Sequence, residues 1–244
     1  MICLQFEEKI LPASVVRQHL AEKIADLEKR EGRAVRGKEK QSLKDEIIQI
    51  LLPKAFTKKS QAYAYIDVER RFLVLNTNNA KKIERFIAFF KRAIAPATLS
   101  AMDVKKPALV MTDWLKHDAP MNFTIGLSAV LQDPSQQLRM IRCRHQDLFA
   151  QSIQTFVKEG CEIIELSVQW NDQVDFVLNS DFSIKRLQFQ EAVLALSDTD
   201  QAETTQQRFD ADFIIMTQTV SQLLNDLLSV FSSQKQTKKL AEVA

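Results

Sequence analysis

The residues that could do chemistry are few, and their spacing offers little to catalysis. His19, His117 and His145 stand far apart, none in an HExxH pattern and none beside a cysteine at ligand spacing. His19 reads as a helix-surface or boundary residue. His145 follows Arg144 at a basic strand end, where it could meet an anion. Cys3, Cys143 and Cys161 are an odd number without CxxC spacing. That argues against a disulfide framework or a zinc site and suits a reducing cytosol. Neither GxGxxG nor GxxxxGKS/T occurs, and four glycines leave little from which to build a phosphate-cradling loop.

The carboxylates need more care. Asp172, Asp175 and Asp181 fall near two hairpin turns, and Asp210 and Asp212 fall where the last helix opens, in favourable position for its dipole. A metal-dependent nuclease needs acids converging with a lysine on a sheet. The segment Asp172–Lys185 would supply them if its register brought Asp175 to Lys185. Turn and cap duty accounts for each acid more cheaply. The expectation is therefore no catalytic residue, no metal and no cofactor, with the nuclease as the alternative.

What remains is binding. Residues 1–106 carry 22 Lys+Arg against 13 Asp+Glu, a balance of +9, and residues 107–244 carry 11 against 18, a balance of −7, which together give the formal +2. Such asymmetry suggests a polyanion partner. Lys54, Lys58, Lys59, Lys81, Lys82, Lys91, Arg92, Arg139, Arg142, Arg144, Lys185 and Arg186 are expected to line one basic surface. Few aromatics are interleaved with them, so phosphate contact without base readout fits better than base stacking. Phe56, in KAFTKK, is apolar inside a charged loop. It either tucks under its own helix pair or anchors a contact to another subunit.

The elements that must position these residues follow from periodicity. Met1–Phe6 is strand-like and needs a later partner. Pro12 and Ser14 open a helix with Val16, Leu20, Ile24 and Leu27 on one face, and Gly32 ends it. A basic turn, Arg33–Gly37, leads to a helix from about Lys38 to Leu52 with Leu43, Ile47, Ile50 and Leu51 inward, stopped by Pro53. Gln61–Asp67 and Arg71–Asn76 read as a hairpin. Asn78 or Asn79 caps a helix that Pro96 ends. Thr98–Val104 is a candidate strand, and Pro107–His117 a short helix. Asn122–Leu131 and Leu138–Arg144 are antiparallel strands, the second presenting Arg139, Arg142 and Arg144 on a basic face. Gln151–Lys158 is a helix. Cys161–Trp170, Gln173–Asn179 and Ser183–Phe189 form a meander. A polar loop at Ser197–Gln207 precedes a long helix, Arg208–Ser232, with Phe213, Met216, Val220, Leu223, Leu224, Leu227 and Leu228 inward, and a frayed tail.

The order is α+β with mainly antiparallel sheets, a protruding two-helix arm and a long C-terminal helix. Its parts are a central sheet and helix region (1–11 and 61–106), a helical tip arm (12–60), a base region (107–205), and a C-terminal helix with its tail (206–244). The start, MICLQFEEK, lacks the basic lead and apolar length of a signal peptide, and no apolar run approaches the roughly 18 residues of a membrane span.

The stretches EEKILPASVV, KEKQSLKDEIIQILLPKAFTKKSQAYAYID, IRCRHQDL, SIKRLQF and QRFDADFIIMT, spread in order over nearly the whole chain, closely resemble the bacterial RdgC family of recombination-associated proteins. The resemblance implies a cytoplasmic, nucleoid-associated, non-enzymatic protein without cofactor. It implies a horseshoe-shaped subunit of a ring-shaped homodimer. That ring encircles duplex DNA, binds single and double strands without strong sequence preference, and restrains RecA-promoted strand exchange. Phe56 matches the aromatic of the gate contact between subunits, Arg33 a basic residue near that gate, and Gln146 a position of the second contact, the hinge. Two features depart from the family. Its members carry a further N-terminal segment with more strands, so this chain reads as truncated or as begun at a later start. They also commonly have lysine where this chain has His145, which would make the hinge contact pH-sensitive.

Overall fold

The computed structural model describes residues 1–94, 98–136, 138–196 and 204–232. Pro96, part of the polar loop before the last helix, and the tail lie outside the described residues. The chain divides into two compact units, Met1–Ala93 and Ile94–Ala244.

In the first unit, β1 (Ile2–Ile10) does find its later partner. It pairs antiparallel with β2 (Phe56–Asp67), from Ile2 opposite Ala64 to Ile10 opposite Phe56. β3 (Phe72–Leu75) completes a sheet of order β1-β2-β3. Strand alternation places Phe6, Ala62 and Ala64 on one face, where all three are buried. Helix α3 (Ala80–Ala93) lies across that face, with the Arg85 guanidinium 4.7 Å from the Phe6 ring centre and Phe86 and Phe90 buried. Its start is capped by the Asn79 side chain, which accepts from the Lys82 N–H at 3.2 Å.

The arm is an insertion between two neighbouring strands, rooted at the Ile10–Phe56 pair. Helix α1 (Ala13–Glu31) ends at Gly32, whose φ of 68° is the left-handed cap that glycine permits. Ser14 gives no capping hydrogen bond to this helix. Helix α2 (Gly37–Leu51) runs into a single 3-10 turn, Leu52–Lys54, that contains Pro53. Val16, Leu20 and Ile47 form a small core with Leu11, Ile24, Leu43, Ile48 and Leu51 around it. Ile50, expected inward, is half exposed, and Ile48 takes the inward place instead. Lys23 and Glu46 bridge the two helices at 2.6 Å.

The second unit holds the larger core. Strands β4 (Phe123–Gln132), β5 (Met140–Cys143), β6 (Glu162–Trp170), β7 (Val174–Asn179) and β8 (Ile184–Phe189) form one sheet of order β5-β4-β6-β7-β8. Every pairing is antiparallel, so the meander and the preceding strand pair are one sheet. Asn171 and Asp172 between β6 and β7 both have left-handed φ, 49° and 55°, as a tight hairpin favours. Leu131, Ile163, Leu166, Val168, Trp170, Phe176 and Leu178 bury one face of the sheet. They share a core with residues of helices α4 (Pro107–His117), α5 (Gln151–Lys158) and α7 (Thr205–Phe231). A short helix, α6 (Glu191–Leu194), was not expected from the sequence. Asp226 of α7 accepts from both Trp170 Nε1 and Asn122 Nδ2 at 2.8 Å, which holds the helix to the end of β6.

Three expectations are corrected. Thr98–Val104 forms no strand; Val104 makes only an isolated bridge to Ser232. The last helix begins at Thr205, because Thr204 and Gln207 form a reciprocal capping box, and Asp210 and Asp212 lie beyond its first turn. The strand expected over Leu138–Arg144 is only Met140–Cys143, so Arg139 precedes it.

One buried contact sets a measurable stability. Thr112 Oγ1 accepts the Ile163 N–H at 2.8 Å and donates to the Ala108 carbonyl at 2.6 Å, tying α4 to β6. Thr112→Val keeps the shape but strands that buried N–H, an expected loss of about 1–3 kcal/mol in urea unfolding.

Candidate nucleic-acid interface

The registers determine what the second face of the five-stranded sheet presents. Arg142 lies opposite Val130, Val130 opposite Glu165, and Lys185 opposite Val177, all on the face away from the core. Two backbone irregularities shape this face. A bulge between Asp175 and Val177 on the β7–β8 pair leaves Arg186 extra, with a left-handed φ of 52°. Beyond β5, His145 also takes a left-handed φ, 51°, and turns the chain so that the Gln146 N–H reaches the Leu127 carbonyl at 3.1 Å. Leu127 belongs to an irregular stretch of β4 that includes Gly126. A Cβ on Gly126 would come within 2.6 Å of Ser167 Oγ, so only glycine lets the two strands approach so closely.

The result is an open depression of about 460 Å³ lined by Arg142, Arg144, His145, Glu165, Lys185 and Arg186 among others. Lys185 Nζ is 3.0 Å from Glu165 Oε1, with both side chains about two-fifths exposed. Arg142, Arg144 and Arg186 are exposed, and among the described residues no acid pairs with them. Three uncompensated guanidiniums in one depression favour an anion. Their planar donor forks suit phosphate oxygens.

The other expected contact residues are not among those that line this depression. Arg139 is held by Asp133 at 3.4 Å and Glu159 at 3.6 Å, so it shares no basic face with Arg142 and Arg144. The Asp133 carboxyl is itself held below its ordinary range by the Ser135 hydroxyl and N–H.

In the first unit, Lys58 and Lys59 are strand residues on opposite faces of β2, not loop residues, and Lys59 pairs with Glu7 at 3.2 Å. That lysine lowers the Glu7 carboxyl. Lys54 is exposed in the 3-10 turn. Lys81 and Lys82 open α3, Lys91 and Arg92 close it, and the pairs stand about 15 Å apart along the helix. Lys82 lies over Phe6 and Arg92 over Phe89, at 5.7 and 5.9 Å from the ring centres. Sequence reasoning left two charged residues out of the site. Arg85 shares the Phe6 ring and bonds Glu8 at 2.9 Å. Glu165 shares a strand face with Ser167 and Gln169, and that alternation was its only signal.

Phe56 does not tuck under the arm. It is the first residue of β2, 87% exposed, beside Ile10 at 47%. Arg33, by contrast, is engaged within its own chain. It forms paired bonds of 2.7 Å to Glu39 and a 2.6 Å bond to Glu31, and it lowers the Glu39 carboxyl. Cys143 and Cys161 are buried free thiols whose pKa burial pushes up, whereas Cys3 is exposed.

Among the described residues no ion pair joins the acids of the nuclease alternative to Lys185, although its charge helps to lower the Asp181 carboxyl. Asp172 sits in the hairpin turn, and Asp175 accepts from Gln190. Asp181 caps the Ser183 N–H at 3.0 Å and its hydroxyl at 2.6 Å. Burial pushes the Asp181 carboxyl up, but the Ser183 bonds, its own backbone N–H and the Lys185 charge together hold it low. Among the described residues no group of three or more His, Cys, Asp or Glu could hold a metal ion. No helix among them is long and apolar enough to cross a membrane.

A family model described as "Putative exonuclease, RdgC" matches residues 1–234. The chain belongs to the RdgC family. Relatives named recombination-associated protein RdgC include that of Pasteurella multocida, 35% identical over 230 residues, covering 94% of this chain and 76% of the relative. The RdgC protein of Aeromonas hydrophila is 34% identical over 238 residues, covering 97% and 78%. That of Psychromonas ingrahamii is 33% identical over 237 residues, covering 96% and 78%. The chain thus spans about three quarters of the length of these RdgC relatives.

Proposed function

We propose that this chain binds DNA through its phosphates, without sequence preference, as a homodimer that closes a ring around the duplex and restrains RecA-promoted strand exchange. The observation that carries the DNA reading is the trio Arg142, Arg144 and Arg186, unpaired among the described residues in one depression of an open sheet face. The name of its relatives, recombination-associated protein, agrees with it. The exposed Phe56 at the root of the arm supports a subunit contact there, and His145 and Gln146 belong to the second contact. Lys54, Lys58, Lys81, Lys82, Lys91 and Arg92 add phosphate contacts from the first unit. In this reading the protein acts in the cytoplasm on the nucleoid, on single as well as double strands, and needs no cofactor.

The test is binding of the purified chain to two duplexes of unrelated sequence. Equal affinities support the reading; a preference of tenfold or more contradicts it. The description of the family model keeps a second reading alive, a nuclease built on Asp175. Magnesium-dependent shortening of a labelled duplex, lost on Asp175→Ala, would establish it. For the hinge, dimer affinity that changes between pH 5.5 and 8 in the wild type but not in His145→Lys would tie the contact to histidine titration.

A further inference from the structure

We infer that the depression on the five-stranded sheet is a seat for a backbone phosphate, and that Glu165 is an internal competitor for it. The inference rests on the DNA-binding reading and adds a device that sets its strength. Glu165 is the acid lining a depression otherwise rich in cations, and it engages Lys185 at 3.0 Å. The lysine's charge is therefore cancelled where a phosphate would settle, and the carboxylate adds local repulsion. The arrangement follows from the backbone. Alternation with the core residues Leu166, Val168 and Trp170 puts Glu165 on the open face, and a bulge on the β4–β6 pair, at the register shift between Val130 and Leu131, returns Ile163 to the core. A second bulge sets Arg186 beside Lys185 on the same face. Non-glycine residues in the left-handed region cost energy, and two of them, His145 and Arg186, line this depression. A strained rim around uncompensated guanidiniums fits a seat for an anion better than an incidental surface. The competing acid keeps the grip weak, as suits a protein that must let go of any one stretch of DNA.

Charge bookkeeping gives the test. Removing the acid adds one effective cation, removing the lysine adds one effective anion, and removing both restores the balance. One additional counterion released per complex steepens the salt slope by about 0.9. With affinities taken as equal at 1 M salt, that is about eightfold at 0.1 M. Glu165→Gln is therefore expected to tighten duplex binding about eightfold. Lys185→Gln should weaken it by a similar factor, and the double variant should return to near wild type. All are measured on the full chain by fluorescence anisotropy, with thermal melts confirming the fold. Glu165→Gln affinity equal to wild type overturns the inference. The triple variant Arg142→Ala, Arg144→Ala, Arg186→Ala separates the two levels. If it binds DNA as well as wild type, the DNA-binding reading of this face fails as well; if it loses affinity while Glu165→Gln changes nothing, only the inference fails. Titration with pyrophosphate distinguishes the source of the phosphate. A Glu165→Gln gain seen with pyrophosphate but not with duplex would assign the seat to a free phosphate compound and overturn the proposal.

Discussion

Replacing Arg142, Arg144 and Arg186 together by alanine is expected to weaken duplex binding about 500-fold at 0.1 M salt. The estimate takes one phosphate contact per guanidinium, each with a salt exponent of about 0.9, and equal affinities at 1 M. The loss should be specific, because all three side chains are exposed and none makes an ion pair among the described residues. Surface substitutions of this kind usually change stability by less than about 0.5 kcal/mol each. The left-handed φ of Arg186 is strained for any residue with a Cβ, alanine included, so the substitution leaves that strain unchanged. The thermal midpoint of the triple variant should therefore stay close to wild type while binding falls. Arg139→Ala makes the internal control. Its guanidinium is occupied by Asp133 and Glu159, so its removal should change DNA affinity far less than any member of the trio.

Phe56→Glu is expected to weaken dimerisation between about 10²- and 10⁴-fold in sedimentation experiments while the monomer remains folded. Phe56 is 87% exposed, so burying it in a subunit contact removes nearly a whole phenylalanine from water, about 1.5–3 kcal/mol. A two-fold contact counts each residue twice, which gives about 3–6 kcal/mol. Glutamate loses that gain and brings an unpaired charge into the contact. The fold should tolerate the change, because the core of the arm is made by Val16, Leu20 and Ile47 and does not include Phe56. Unchanged dimerisation would remove Phe56 from the interface and with it the gate of the proposed ring.

Much of this architecture was legible because local periodicity and tertiary role agree. The helices of the arm, α3 and α5 show apolar spacing of three and four, and the β2–β3 hairpin and the β6–β7–β8 meander show their turns. The misses share another cause. Phe56–Ser60 reads as a charged loop because both faces of β2 are polar there, yet it is a strand held by pairing with β1, a partner far away in sequence. Arg139 was grouped with Arg142 and Arg144 by spacing, but the strand begins after it and two acids from elsewhere in the fold claim it. The start of α7 was hidden because Thr204 and Gln207 act through hydrogen bonds to backbone, which leave no mark on hydrophobic pattern. At the site, the four cations of the depression were all named from sequence, but what sets their relation was not. The two bulges and the left-handed residues His145 and Arg186 decide which side chains share a face, and bulges interrupt the alternation from which faces are read. Glu165 lies just beyond one of these bulges, on the face that Ser167 and Gln169 continue.

The most direct test of phosphate binding on this face is the salt dependence of duplex affinity for the wild type and the Arg142, Arg144, Arg186 triple alanine variant. Log affinity is expected to fall linearly with log salt for both. The two unrelated duplex sequences should overlay, and the variant's line should be shallower by about 2.7. Parallel lines for wild type and variant would mean that these arginines release no counterions from DNA, and would contradict the account.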